Sequence, residues 1–323
     1  MAWPLHKLYS AHRRLRSLIR CIALAGCLLC LVSVSASAQP LKLQLDGYPV
    51  TVEYYPGGDK VAHKVLSICS ATIPGLATEL GLETIGSFRV LLIADMARFQ
   101  ERQGIRLPSW GIAFALMDSQ IMLVDVMRAN SSWNSLEKVI AHELSHLLVA
   151  QRVGAVRMPV WFVEGLAVWQ AHEWSLLEGW RLMESVWTGH APGLGQLVSS
   201  LPAEEGHVRD AYRVAYTGFV DRFHQEMNAL PSFLGMVRDE GDFSVAFERL
   251  WQENEYLYYA RFDQALYRKY RSKLLFFQTG PLFSVVAFLF LFVVLWIKLR
   301  NRRKLKRLDQ AEQGVEREWW ERS

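Results

Sequence analysis

Cysteine is nearly absent from the part of this 323-residue chain that must fold. Of four cysteines, Cys21, Cys27 and Cys30 fall in the first 38 residues, and only Cys69 lies beyond them. A disulfide framework is therefore excluded, and the fold must be held by its core. An apolar content of 51% is enough for one, and the length allows one or two domains. Cys69 sits in a predicted helix with nothing around it to activate a thiol, so it reads as a buried structural residue. Clustered positive charge is also missing from the body of the chain. Residues 1–38 carry five Lys/Arg and no acid, residues 298–323 carry nine against five acids, and the rest holds 22 bases and 27 acids. That balance speaks against nucleic acid as a partner, because affinity for phosphate needs clustered cations. No internal repeat is present.

The basic ends have a membrane explanation. Lys7, Arg13, Arg14, Arg16 and Arg20 precede an apolar run over 21–34, and Ala36-Ser37-Ala38 before Gln39 is an A-x-A cleavage site. Residues 1–38 are thus expected to be a secretory signal peptide, with an uncleaved signal anchor as the alternative. At the other end, 282–297 is a 16-residue apolar run. With the 274–277 patch before Gly280-Pro281 it predicts a transmembrane helix over 274–299. Seven Lys/Arg in 298–307, against four in 268–273, place the basic tail 300–323 in the cytoplasm. Export of the N-terminus gives the same orientation, with residues 39–273 extracytoplasmic.

Between these ends the patterning changes from strand to helix. Residues 41–55 alternate apolar and polar around Asp46-Gly47 and predict a β-hairpin. A helix over 61–80 is expected to end or break near Pro74-Gly75. A strand over 87–94, a short helix over 96–102 and strands over 111–117 and 120–126 follow. Helices are expected over 173–187, 207–227, 231–240, 242–251 and 255–271, with a loop over 192–202. The reading is an α+β fold: an N-terminal mixed sheet in 39–130 and a helical half in 131–273.

The boundary between the halves carries the chemistry. His142-Glu143-Leu144-Ser145-His146 is an H-E-x-x-H motif, which on a helix puts two imidazoles one turn apart on one face, able to share a metal. The helix is expected from Asn134, a capping residue with Glu137 three positions later, to Gly154. Leu136, Ile140, Leu144, Leu147 and Leu148 form its core stripe, with both histidines nearly opposite. A catalytic zinc site needs three protein ligands and one open position. Glu164, in Trp161-Phe162-Val163-Glu164-Gly165-Leu166-Ala167, follows His146 after 17 residues, enough for a turn into a second helix over 159–172 entered at Pro159. Gly165 is expected to let these two helices approach closely.

These residues resemble the gluzincin-type zinc metallopeptidases, most closely the peptidase MA-like family, whose signature joins H-E-x-x-H to a later W-x-x-E-G-L-A-like helix. The match is specific over 136–169 and looser over 41–271. A metzincin would need Gly at 149 and His at 152, where this chain has Val149 and Arg152. An intramembrane protease is excluded because Ser135, Glu137 and Lys138 make the helix too polar to cross a bilayer. The resemblance implies Zn²⁺ on His142, His146 and Glu164, Glu143 as general base, and a gluzincin-like domain. It also implies an oxyanion donor. Tyr212, in an Ala211-Tyr212 pair, is the candidate, with Tyr216 and His207 as rivals. In thermolysin-like enzymes an Asp four residues after the glutamate ligand orients a zinc histidine. Here that position is Val168, leaving the orienting group unidentified.

Such enzymes often bind extended substrates on a sheet edge preceding the metal helix, for which 121–125 is the candidate, an ordinary sheet strand being the equal alternative. The expected function is hydrolysis of peptide or protein substrates, membrane-proximal ones given the short spacer before the span. The alternative is a non-catalytic, zinc-stabilised ectodomain binding an envelope protein or component.

Overall fold

The computed structural model describes residues 40–109, 111–131, 135–202, 204–224, 226–278 and 284–302. The expected signal sequence, the capping Asn134, the Gly280-Pro281 pair and the tail past 302 lie outside these described residues. The described chain is a mixed α+β protein with one five-stranded sheet followed by packed helices.

The hairpin forms where Asp46-Gly47 predicts it. Strands β1 (Leu41–Gln44) and β2 (Val50–Tyr54) pair antiparallel, with Leu41 opposite Tyr54, and Gly47 takes a φ of +81° that favours glycine. Helix α1 (Asp59–Leu80) then crosses over to β3 (Phe88–Ile93), which lies parallel to β2. The expected break at Pro74 does not occur. Ser70, Pro74 and Gly75 are all on the exposed face, where solvent can satisfy the carbonyl the proline leaves unbonded. Ile73, Leu76, Ala77 and Leu80 continue the buried stripe on the other side, and that packing outweighs the local preference.

Helix α2 (Met96–Gln103) is capped by Asp95, whose Oδ1 accepts from the Arg98 N–H at 3.0 Å. Strand β4 (Ala113–Leu116), a 3-10 turn (Met117–Ser119) and β5 (Ile121–Asp125) complete a sheet of order β1-β2-β3-β5-β4. This corrects the expectation for 121–125. β5 is interior, parallel to β3 on one side and antiparallel to β4 on the other, so the edge nearest the H-E-x-x-H helix is β4. The Met117–Ser119 turn folds β4 outward, which strand patterning alone does not reveal.

Helices α3 (Val126–Ser131) and α4 (Leu136–Val153) follow, and α4 packs against α1 and the β4–β5 pair. Its Leu136, Ile140, Leu144, Leu147 and Leu148 are fully buried. Arg152, near its end, donates to the Leu80 carbonyl at 3.1 Å and the Pro231 carbonyl at 3.0 Å, tying the sheet half to the helical half.

The helical half contains α5 (Val160–Gln170), α6 (Leu176–Thr188), α7 (Glu205–Phe223), α8 (Leu230–Glu240), α9 (Phe243–Trp251) and α10 (Glu255–Gln278). Phe162 of α5 sits at the centre of an aromatic core, its ring centroid 5.4 to 5.6 Å from those of Phe219, Phe223, Phe233 and Phe243. The buried polar tips are bonded: Trp161 Nε1 donates to Tyr259 Oη at 3.1 Å, and Tyr258 Oη to the Gly218 carbonyl at 2.7 Å. Cys69 is fully buried, and burial pushes its thiol up to about 12, in keeping with a structural role.

Gly165 serves a different contact from the one expected. A Cβ there would stand 2.4 Å from the Ala215 carbonyl oxygen and 2.7 Å from Phe219 Cβ, so it permits the approach of α5 to α7, not to α4. Gly165→Ala is expected to lower stability by about 1–3 kcal/mol, because backbone must move to admit the methyl group. Urea unfolding checks this, and an unchanged midpoint would show that α7 yields freely.

A last helix, α11 (Ser284–Arg302), is long and apolar enough to cross a membrane, with a mean hydropathy of 1.8 and no part buried in the body. The 274–278 segment, expected inside the span, instead continues α10.

Candidate metal centre

His142 and His146 leave α4 one turn apart, their ring centroids 4.8 Å apart and nearly perpendicular. Opposite them stands Glu164, in the middle of α5. Every residue from Trp161 to Val168 except Glu164 is buried, and a carboxylate in such a helix is costly unless paired. It is paired: Glu164 Oε2 lies 3.2 Å from His142 Nε2 and 3.5 Å from His146 Nε2. Ligand atoms from all three residues fall within 4.8 Å of one another, a group that can hold a metal ion.

The spacing has a meaning beyond proximity. Two ligands bonded to zinc at about 2.0–2.1 Å in tetrahedral geometry stand about 3.3 Å apart. The 3.2 and 3.5 Å separations bracket that value, and both imidazoles present the same nitrogen to the same oxygen. The electrostatics also favour a cation. Burial works against charge on His142, yet Glu164 and Glu173 outweigh it and push its pKa well up. Burial would raise Glu164, but His146 and His142 reverse this and hold it well below the usual carboxylate range. The donor set, two imidazole nitrogens and a carboxylate oxygen, suits zinc.

Glu143 does not join the ligand group. Its Oε2 accepts a hydrogen bond from the Ala115 N–H on β4 at 2.6 Å, which holds the carboxylate beside the histidines. Burial pushes its pKa up, partly offset by His146 and His142. A carboxylate disposed to take a proton thus stands between the metal-ligand group and the sheet edge.

Tyr212 enters the site from α7. Its ring is 6.0 Å from that of His142, at 80°, and it lines the same cavity as His142, Glu143, His146 and Glu164. Burial, with Glu164, Glu143 and Glu173 nearby, pushes the phenol up, so it stays protonated. The rivals lie elsewhere. Tyr216 stacks on Trp174 with centroids 4.2 Å apart, and His207 has its Nδ1 3.3 Å from Glu204; neither lines the cavity.

The acid that comes nearest His142 Nδ1, the role left open at Val168, is one that sequence reasoning placed in a helix. Glu173 Oε2 is 3.5 Å from His142 Nδ1, an ion-pair distance slightly longer than a hydrogen bond. The expected helix over 173–187 starts only at Leu176, where Ser175 Oγ accepts from the Glu178 N–H. Before it, His172 adopts a φ of +51° and the Glu173 N–H bonds back to the Val168 carbonyl at 3.1 Å. This left-handed turn returns Glu173 against His142. The available signal was simple, since Glu173 is the first acid after Glu164. Glu173→Gln is expected to weaken zinc binding about 10–100-fold while leaving the fold intact. Competition against a chromogenic chelator measures it, and unchanged affinity would deny Glu173 an orienting role.

The cavity at these residues has a volume of about 270 Å³ and apolar walls: Leu107, Phe114 and Leu116 on one side, Met158, Val160 and Val163 on the other. It shares Met117, Met158, Val160 and Val163 with a second, larger cavity of about 650 Å³. Compared with protein-family models and with curated proteins, the chain matches none.

Proposed function

We propose that this protein is a membrane-anchored zinc metallopeptidase of gluzincin type, cleaving peptide bonds outside the cytoplasm. The observation that carries this reading is the convergence of His142, His146 and Glu164 with Glu143 held beside them. A structural zinc site is closed by four protein ligands, whereas this group offers three and opens on a cavity.

When bound, zinc supplies Lewis-acid polarisation of the scissile carbonyl and a water that is acidic near neutral pH. The rest falls to the chain. Glu143, fixed by the Ala115 N–H, takes the proton of the attacking water at its carboxylate and passes it to the leaving amine. Tyr212 Oη, protonated and facing the same cavity, donates to the developing oxyanion. An extended substrate adds to β4, which has no sheet partner on its outer side among the described residues. Side chains on one side of the scissile bond enter the apolar cavity walled by Met158, Val160 and Val163.

Helix α11, the signal-like N-terminus and the basic residues of 298–307 support an anchored protein with its C-terminus in the cytoplasm. The purified chain is expected to cleave an unstructured protein, to stop on treatment with 1,10-phenanthroline and to resume on adding zinc. A zinc-loaded chain cleaving a broad peptide library no faster than Glu143→Gln would instead favour the non-catalytic ectodomain.

A further inference from the structure

Helix α6 buries one apolar face in the body and carries large apolar side chains at the surface on the other. Leu182 and Val186 are buried against the body, while Leu176, Leu177, Trp180 and Trp187 are 91%, 56%, 55% and 54% exposed. At 100° per residue, Leu176, Trp180 and Trp187 fall within roughly 40° of one another, with Leu177 beside them and the buried pair on the far side. Large apolar side chains collected on one side of a surface helix mark an interaction site.

We propose that this face of α6 docks on the outer surface of the bilayer that α11 crosses, seating the metal cleft at the membrane. The proposal rests on the anchored reading given above. Its support is where the face sits along the chain. α6 packs on α10, and the C-terminal end of α6 meets it at Leu266 and Tyr267, around a small cavity lined also by Val186 and Gly189. From Tyr267, α10 runs only to Gln278, and Ser284 of α11 follows after five residues. Eleven helical residues rise about 17 Å, and a five-residue segment reaches at most about 18 Å. The α6 face is thus leashed close to the lipid, and α10 leaning toward the surface brings it into contact.

The chemistry matches that surface. Tryptophan and leucine on one face of a helix suit the boundary between headgroups and acyl chains. Beside them α10 carries the exposed Tyr267, Arg268 and Lys269, a basic complement to anionic headgroups. Glu184 is exposed on the same side of α6, between Trp180 and Leu177, where its carboxylate can stay at headgroup level. The docking face also leads directly into the site. Leu176 stands three residues after Glu173, whose carboxylate faces His142. Docking therefore presents the cleft to the membrane-proximal parts of substrates and selects them by position.

The test uses the chain from Gln39 on, without the expected signal peptide and its three cysteines, reconstituted in phosphatidylcholine vesicles with and without phosphatidylglycerol. A polarity-sensitive fluorophore is attached in turn to Leu176→Cys and, as a control, to Glu101→Cys on the exposed helix α2. Cys69 is buried and does not compete for the label. The label at 176 is expected to shift to the blue and to be quenched about threefold by lipids brominated in the upper acyl chain, more strongly with phosphatidylglycerol. The label at 101 should do neither. Retention on vesicles through alkaline carbonate reads the anchor separately. A retained chain whose label at 176 stays as wet as that at 101 overturns docking and leaves the anchor standing. A blue shift without bromolipid quenching assigns the face to a second copy or another protein, and also overturns it. A chain washed off by carbonate removes the anchored reading and docking together.

Discussion

Glu143→Gln is expected to reduce kcat/KM by at least about 10²–10⁴-fold, the span usually contributed by a positioned general base. The substitution is nearly isosteric, and the glutamine carbonyl can still accept from the Ala115 N–H, so β4 and α4 keep their relation. His142, His146 and Glu164 are untouched, and zinc content should equal that of the wild type. The two readouts together give the prediction its force. Lost activity with retained metal assigns Glu143 to proton transfer, whereas lost metal would mean that it supports the ligands. Activity close to wild type would remove it from the mechanism.

Glu164→Ala should have the largest effect on metal binding. Glu164 is the only ligand-group residue not on α4, and its Oε2 is the atom both histidines face. Removing it leaves two imidazoles from one helix and no anionic donor. Zinc affinities of protein sites run to about 10–16 kcal/mol, so losing one of three ligands should cost about 3–5 kcal/mol, on the order of 10³-fold. The deleted side chain is also the hydrogen-bond partner of His142 at 3.2 Å, and the pKa of that imidazole should fall once Glu164 is gone. Competition with a chromogenic chelator reads the affinity and NMR titration of the metal-free His142 ring reads the pKa. Zinc binding within a few-fold of wild type would show that another group is the third ligand.

Much of this site was legible because its signals are local. The four-residue interval from His142 to His146 needs only a helix, and the helix follows from the stripe of Leu136, Ile140, Leu144 and Leu148. Pro159 marks the start of α5, and Glu164 stands out as the one charge in an apolar helix. The hairpin around Asp46-Gly47 was readable for the same reason. What escaped depends on contacts distant in sequence or on single backbone angles. Nothing in 111–126 says that β5 pairs with β3 and leaves β4 at the edge. Gly165 shows that something comes close, but not that it is Ala215 of α7. Glu173 was hidden by helical patterning that continues smoothly into α6. The positive φ of His172, a conformation non-glycine residues seldom adopt, and the extended capping Ser175 separate it from that helix and bring it near His142. Pro74 failed as a helix breaker because its buried neighbours Ile73 and Leu76 keep their packing on the far side.

The central claim is that His142, His146 and Glu164 hold one zinc ion, and its most direct test is the metal content of the purified, folded chain measured by inductively coupled plasma mass spectrometry. The account predicts about one zinc per chain in the wild type and none in His146→Ala. A wild-type chain that stays metal-free after zinc is offered to the folded protein would contradict it.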